Sequence, residues 1–384
     1  MVKFTFWFLI GLVIFIYFLY PVILFCLAQL IGKRRKKEDN FPFVSLIIPL
    51  HNEERVIRHK IDNCLALNYP QDKLEIIFAL DDCQDKTKDI LSEYRDLRIR
   101  IIDGPGRKGK VATLNMAVPE AKGELIVFSD ANSLHHKDTI KTLAGNFFDK
   151  KVGCVCGKLC YTDTESTSIS KGENLYWKYE YFIKTQESKL GKLLITNGSV
   201  QAVRKELYPY PDPEVADDFS IPVMILANGH EVLYEPEAIV YEAATQSLKE
   251  EFRQKVRIIA QGFKGIMRLR RYLLRLGPIG LFQLLFHKLF RWCVPLFLVI
   301  VFFANLVLIH EKPYFNLFVL QTAFYLLAVT GFVIRRRSKI KIFYIPFYFC
   351  LVNLASLFAL LSLAKGRKTH IWEKAHSTRR MKHA

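Results

Sequence analysis

Four long apolar blocks constrain this chain before anything else does. Phe4 to Leu30 is apolar and uncharged and is followed by Lys33-Arg34-Arg35-Lys36-Lys37; three more apolar runs lie near 292–310, 314–334 and 341–364. Each approaches the ~20 residues that a helix needs to cross a bilayer. In lipid the backbone must satisfy its own polar groups, so such blocks read as helices. The first is too long for a signal peptide and no small-residue cleavage site follows it, which makes it a retained anchor. The basic cluster behind it belongs on the cytoplasmic side. That places the polar stretch from about 41 to 290 in the cytoplasm, on a multi-pass protein of the plasma membrane. Arg335-Arg336-Arg337 argues for the same side. Three full C-terminal crossings would put the basic tail, Lys365 to Ala384, on the far face against the same rule. One C-terminal segment is therefore expected to be re-entrant or interfacial.

The formal charge of +18 invites a nucleic-acid partner. Basic flanks meeting anionic lipid headgroups explain it more simply, so membrane lipids are the expected partner and nucleic acid is not. The spans hold almost no ionisable residues, which argues against an ion or solute pathway. Eight cysteines occur with no Cys-x-x-Cys pair. Without a second ligand pair for zinc, they read as reduced, mostly buried thiols.

Between the apolar blocks, short apolar runs alternate with helical patterns. Val44–Pro49, Leu74–Leu80, Arg98–Asp103 and Glu124–Phe128 read as strands. Helices are expected over Glu53 to about Leu67, from about Asp85, and over about Val111–Val118. This is the pattern of an α/β fold with a parallel sheet covered on both faces. Ligands of such sheets sit beyond the carboxyl ends of the strands, where His51-Asn52-Glu53, Asp81-Asp82 and Asp130 fall. Beyond residue 150 the pattern is mixed. Gly172–Lys189 reads as an aromatic-rich helix, Thr196–Ser199 as a turn, and Ser247 to about Leu276 as a basic amphipathic helix. Leu281–Arg291 continues that character, which suits the membrane interface.

Five clusters carry chemical potential. His51 to Glu54 follows a strand and opens a helix, where acids favour the dipole. In Ala79 to Thr87, Asp81 stands at a strand end able to accept hydrogen bonds from a base or ribose, while Asp82 or Asp85 caps the next helix. Gly106-Arg-Lys-Gly-Lys110 opens a helix with glycines and cations, which suits a diphosphate, although the P-loop spacing is absent. Ser129-Asp-Ala-Asn132 offers hard oxygen donors: Asp130, together with diphosphate oxygens, could hold Mg²⁺ or Mn²⁺, and Asn132 could ligate directly or through water. Asp217-Asp218 pairs two acids, so that each raises the pKa of the other and makes one a candidate general base.

In order and spacing, "IPLHNE", "LDDCQDKT", "GKVATLN", "FSDAN", "NGSVQAVRKEL", "ADDFSIP" and "QKVRI" make the chain resemble the membrane-bound family 2 glycosyltransferases. That group contains cellulose, hyaluronan and poly-N-acetylglucosamine synthases. The resemblance implies a glycosyltransferase type A (GT-A, Rossmann-like) catalytic domain over 41–247 between the anchor (1–32) and amphipathic interfacial helices (248–291). Transmembrane segments (292–364) and the basic tail (365–384) follow. It implies His51, Glu53 and Asp81 in a uridine pocket with Lys110 near it, Asp130 on the metal side, and Asp218 as base with Asp217 beside it. It implies Gln254 and Arg257 on the acceptor and diphosphate side. Two positions depart from the pattern: Asn132 replaces a second Asp, and Ile258 stands where processive synthases carry Trp. The implied activity is inverting transfer of a sugar from a nucleotide donor, UDP by expectation, to a glycan or lipid acceptor, giving a β-glycoside. Transfer of one sugar to a lipid-linked acceptor is the alternative within the class. A catalytically inactive partner subunit or a transport component is the alternative outside it. The sequence fixes neither the sugar nor the oligomeric state.

Overall fold

Every residue of Val44–Leu50 (β1) is buried, as a strand covered on both faces must be. In the structure, a computed structural model, residues 1–33, 35–38, 41–162, 168–245, 247–335 and 340–365 are described. After β1 come α2 (Ile57–Leu65), β2 (Leu74–Leu80), α3 (Thr87–Ser92), β3 (Ile99–Asp103), α4 (Lys110–Glu120) and β4 (Leu125–Phe128). These strands pair in parallel, and Val44 is opposite both Leu74 and Leu125. Successive β1 side chains feed two cores: Leu46, Ile48 and Leu50 point into one, Ile47 into the other. Each such side chain contributes about 1.5–3 kcal/mol on burial.

The second half of the domain changes direction. It adds β5 (Leu134–His135), α5 (Thr139–Ala144), β6 (Val152–Thr162), α6 (Ser168–Lys189), β7 (Gln201–Arg204), α7 (Asp217–Ala227) and β8 (Glu231–Ala243). The eight strands form one sheet in the order β3-β2-β1-β4-β7-β6-β8-β5. β7 is antiparallel to both β4 and β6, whereas β6 and β8 are parallel. The β6–β8 register shifts between Cys156 and Lys158, and Gly157 sits in that shift. A Cβ there would stand 2.4 Å from the Ala238 carbonyl and 2.5 Å from Val200, so only glycine lets the two backbones meet.

Val2–Leu30 (α1), Gly277–Val307 (α10), Lys312–Ile334 (α11) and Lys341–Ala364 (α12) are long and apolar enough to cross a membrane. Leu248–Arg268 (α8) and Arg270–Leu273 (α9) connect them to the sheet domain. Many large apolar side chains of these long helices, such as Phe4, Phe8, Phe303 and Leu320, face outward. Bilayer hydrocarbon would cover such a surface; water would not tolerate it. The structure adds detail to the two stretches expected along the interface. The stretch 281–291, expected along the interface, is part of α10 and runs without a break into the apolar segment. The inner face of α8 is covered by protein: Ile259 and Ala260 pack with Ala359, and Gly262 lets the Trp292 ring lie against the helix. Arg336, Arg337 and residues 366–384 of the basic tail lie outside the described residues.

Candidate active site

Two strand ends carry unusual backbone. Asn52, just beyond β1, and Asp82, just beyond β2, have φ of 52° and 55°, a region that side-chain-bearing residues rarely adopt. Hydrogen bonds hold them there. The Asn52 side-chain oxygen accepts from the Gln84 N–H at 2.6 Å, and His51 Nδ1 donates to the Asp81 carbonyl at 2.6 Å. Glu53 is buried; its N–H donates to Thr87 Oγ1 at 2.8 Å, and its carbonyl caps Val56 and Ile57 at the start of α2. Asp85 takes the turn role, accepting from the Thr87 N–H at 3.0 Å.

At Asp81 the structure adds partners from within the chain. Its carboxylate accepts from the Lys108 N–H at 2.7 Å and from the Gly109 N–H at 3.0 Å. It therefore shapes the Gly106–Lys110 loop, in which Gly106 and Gly109 have φ of 71° and 88°. Those conformations come readily only to glycine.

Lys110 opens α4 and joins the other half of the site. Its ammonium lies 2.8 Å from Asp130 Oδ1, beyond β4, and 3.1 Å from Asp217 Oδ2, at the start of α7. It also donates to the Gly198 carbonyl at 3.3 Å. Burial would lower the lysine pKa, but the two carboxylates outweigh it and keep the group charged. A Cβ at Gly198 would sit 2.6 Å from Asp217 Oδ2 and 2.9 Å from the ammonium, so a side chain there would displace one of the two. Asp218, next along α7, is different. Loss of solvent and then the charge of Asp217 push its carboxyl up to about 6, against the pull of Lys110, Lys184 and Lys288. That suits a group that must take a proton near neutral pH.

Asp130 and Asn132 share a tight turn closed by the Ser133 N–H on the Asp130 carbonyl at 3.2 Å, and Asn132 is buried in it. Behind the turn stands a residue that sequence reasoning missed. Lys60 on α2 is fully buried and donates to Ser129 Oγ at 2.6 Å and the Ser133 carbonyl at 2.5 Å. The available signal was a lysine within the apolar stripe Ile57, Ile61, Cys64. Lys184 on α6, also missed, reaches the turn at Thr196 and Asn197. The structure thus gathers Lys110, Asp130, Asp217 and Asp218, with His51, Glu53 and Asp81 shaping the adjoining edge. Gln254 and Arg257 lie part-buried on α8, which reaches the Asp217 helix where Gly265 packs on Phe219.

The carboxyl edge of the parallel half, facing the start of α7, gathers a glycine–lysine loop and several carboxylates around one ammonium, an arrangement suited to a phosphate-bearing ligand. Residues 45–209 match the family described as Glycosyl transferase family 2. Over 238 residues the chain is 29% identical to the "Probable glycosyltransferase YdaM" of Bacillus subtilis, covering 59% of this chain and 57% of that protein. It is 27% identical over 177 residues to a "Beta-monoglucosyldiacylglycerol synthase" of Trichormus variabilis, with 45% and 38% covered. It is 23% identical over 237 residues to a "Poly-beta-1,6-N-acetyl-D-glucosamine synthase" of Staphylococcus aureus, with 60% and 57% covered. The chain thus spans little more than half, or less, of the length of these relatives. Among solved structures, the mannosyltransferase PcManGT of Pyrobaculum calidifontis, in complex with GDP-Man and Mn²⁺, superposes with a TM-score of 0.69. That match has 20% identity and covers 93% of this chain and 99% of the other, which places the chain in the GT-A fold.

Proposed function

We propose that the chain is an inverting glycosyltransferase that moves a sugar from a nucleotide diphosphate donor, UDP in our reading, to a hydroxyl of a glycan or lipid acceptor at the membrane. The single observation that carries this reading is Asp218. It is a carboxyl with a raised pKa beside a lysine clamp, at the edge of a sheet where a diphosphate would lie. In the reaction the acceptor oxygen attacks the anomeric carbon in line and gives its proton to the Asp218 carboxylate. The bond from that carbon to the diphosphate breaks, and Lys110 stabilises the charge left on the leaving group. One displacement inverts the centre, so an α-linked donor gives a β-glycoside. His51, Glu53 and Asp81 are assigned to the nucleoside side, and Gln254 and Arg257 to the acceptor and diphosphate side.

A divalent metal fits this donor set in a limited way. Among the described residues no group of three or more His, Cys, Asp or Glu converges as a metal cage. Mg²⁺ and Mn²⁺ take oxygen ligands and commonly use one or two carboxylates plus substrate phosphates. Asp130, with Asn132 directly or through water, would hold such an ion, which would offset negative charge on the diphosphate.

Asp218→Asn is expected to abolish transfer while leaving UDP-sugar binding within about threefold, as an interaction used only in the transition state requires. Retained full turnover would refute the assignment of the base. Metal-dependent release of UDP from a UDP-sugar by purified protein would exclude an inactive partner subunit. Ile258, exposed where processive synthases carry Trp, favours a single transfer to a lipid acceptor over polymerisation. Product length with a labelled donor separates the two. In this reading the catalytic domain faces the cytoplasm at the plasma membrane.

A further inference from the structure

Glu180, Lys184 and Glu187 occupy one face of α6, spaced four and three residues apart. The two acids hold the membrane helices. Glu180 pairs with Arg291, lies 3.1 Å from His287 Nε2 and 3.6 Å from the Lys288 ammonium, all on α10. Glu187 faces His287 Nδ1 at 2.7 Å and accepts from the Tyr20 hydroxyl of α1 at 3.1 Å. Tyr20, Glu180, Glu187 and His287 are all buried. Burial would raise the Glu180 pKa, but its cationic neighbours outweigh this and hold it well below the usual carboxylate range. An arrangement this closed behaves as a rigid fastening, because breaking a buried pair leaves a stranded charge.

Between these acids Lys184 points to the catalytic edge. It is 3% exposed and donates to Asn197 Oδ1 at 2.8 Å and the Thr196 carbonyl at 3.4 Å. Asn197 is gripped from the sheet as well: its N–H donates to Cys156 Sγ at 3.0 Å and its side chain to the Gly157 carbonyl at 2.9 Å. Thr196 then holds the candidate base, its N–H and hydroxyl both donating to the Asp218 carbonyl, at 2.9 and 3.0 Å. Gly198, two residues beyond Thr196, accepts from Lys110.

We propose that Lys184 is a positioning residue for transfer. It ties the Thr196–Gly198 turn, and through that turn Asp218, to a helix that the membrane helices fasten in place. The inference rests on Asp218 acting as the base. A side chain that orients a catalytic group from behind changes turnover more than donor binding. The charged and titratable groups facing Asp218 are Asp217, Lys110, Lys184 and Lys288, with Cys156 nearby. Removing the Lys184 cation therefore shifts proton uptake at Asp218 to higher pH, and arginine preserves that charge.

The test uses the full chain in lipid vesicles with a UDP-sugar donor. Lys184→Met is expected to lower kcat about 10- to 100-fold near pH 7, a size typical of misplaced catalytic groups. KM for the donor stays within about threefold, the signature of a transition-state effect. The acidic limb of the kcat profile moves upward in pH, and Lys184→Arg restores most of the rate and the limb. An unchanged kcat and pH profile in Lys184→Met would overturn the proposal. So would a parallel collapse of donor affinity and thermal midpoint that Lys184→Arg fails to repair, since that marks a packing role. Asp218→Asn is run alongside. If it turns over normally, the base assignment fails; if it is dead while Lys184→Met is normal, the positioning assignment alone fails.

Discussion

Lys110 is the residue on which the two halves of the site meet. Asp130 arrives from the parallel half and Asp217 from the antiparallel half, and one ammonium serves both. Lys110→Met would leave two carboxylates facing each other with little water. We expect a loss of about 3 kcal/mol of stability, the lower end for a broken buried pair, read as a lower thermal midpoint. A fall in kcat of about 100-fold or more should accompany it, as for loss of one preorganised charge stabiliser. Gly198→Ala should cut kcat by about 10-fold or more, because the new methyl displaces the Asp217 carboxylate or the ammonium. For Asp218 the sign of the pH effect follows from its raised pKa. The carboxyl is protonated below about pH 6 and cannot accept a proton there. Activity should therefore fall as pH drops through about 6 and level off above it, which a kcat–pH profile measures. Asp130, Lys110 and the Asp217-Asp218 pair were legible in the sequence because strand ends and helix starts have local signatures. Lys60 and Lys184 were not read there, because each lies inside a helix and its meaning comes from a turn far away in sequence.

At the scale of elements, the strands of the parallel half were readable almost to the residue, whereas the helix expected from Glu53 begins at Ile57. β2 has the expected bounds Leu74–Leu80, and β1 extends its expectation by one position. Strands buried on both faces advertise themselves as unbroken apolar runs. The antiparallel half was not readable in this way. β7 is four residues long and β5 two, and their places are set by pairing with β4, β6 and β8. No local pattern encodes a partner so distant. The register shift at Gly157 gives this half a test of its own. Gly157→Ala puts a methyl against Ala238 and Val200, and should cost about 1–3 kcal/mol as an overpacked core does. A lowered thermal midpoint with a smaller change in donor affinity would show the strain confined to β6 and β8.

For the whole molecule, the long apolar helices are part of the folded unit as well as candidates for crossing a membrane. Phe6 of α1 is fully buried among Val301, Ala304 and Tyr314, and Tyr20 and Leu24 pack on Ile183 of α6. Deleting residues 1–32 should therefore lower the thermal midpoint and the transfer rate even in detergent. A mere tether would leave both intact once the protein is solubilised. α1 and α10 also share a local widening: a π-helical turn at Phe15–Leu19 in the first and at Leu284–Leu289 in the second. The two turns touch, with the Phe15 and Phe286 rings 4.7 Å apart. A π turn holds one residue more than the α path would, and each residue of an α-helix advances the azimuth by ~100°. Removing one residue from either helix would leave its length and greasiness nearly untouched. Taken from the π turn, the loss closes it to the α path and keeps Arg291 or Tyr20 facing the acids of α6; taken from a regular turn beside it, the same loss swings them away by ~100°. Depth in the bilayer and rotation about the helix axis are thus written in different residues of the same helix, and a deletion can spoil the second while the first survives.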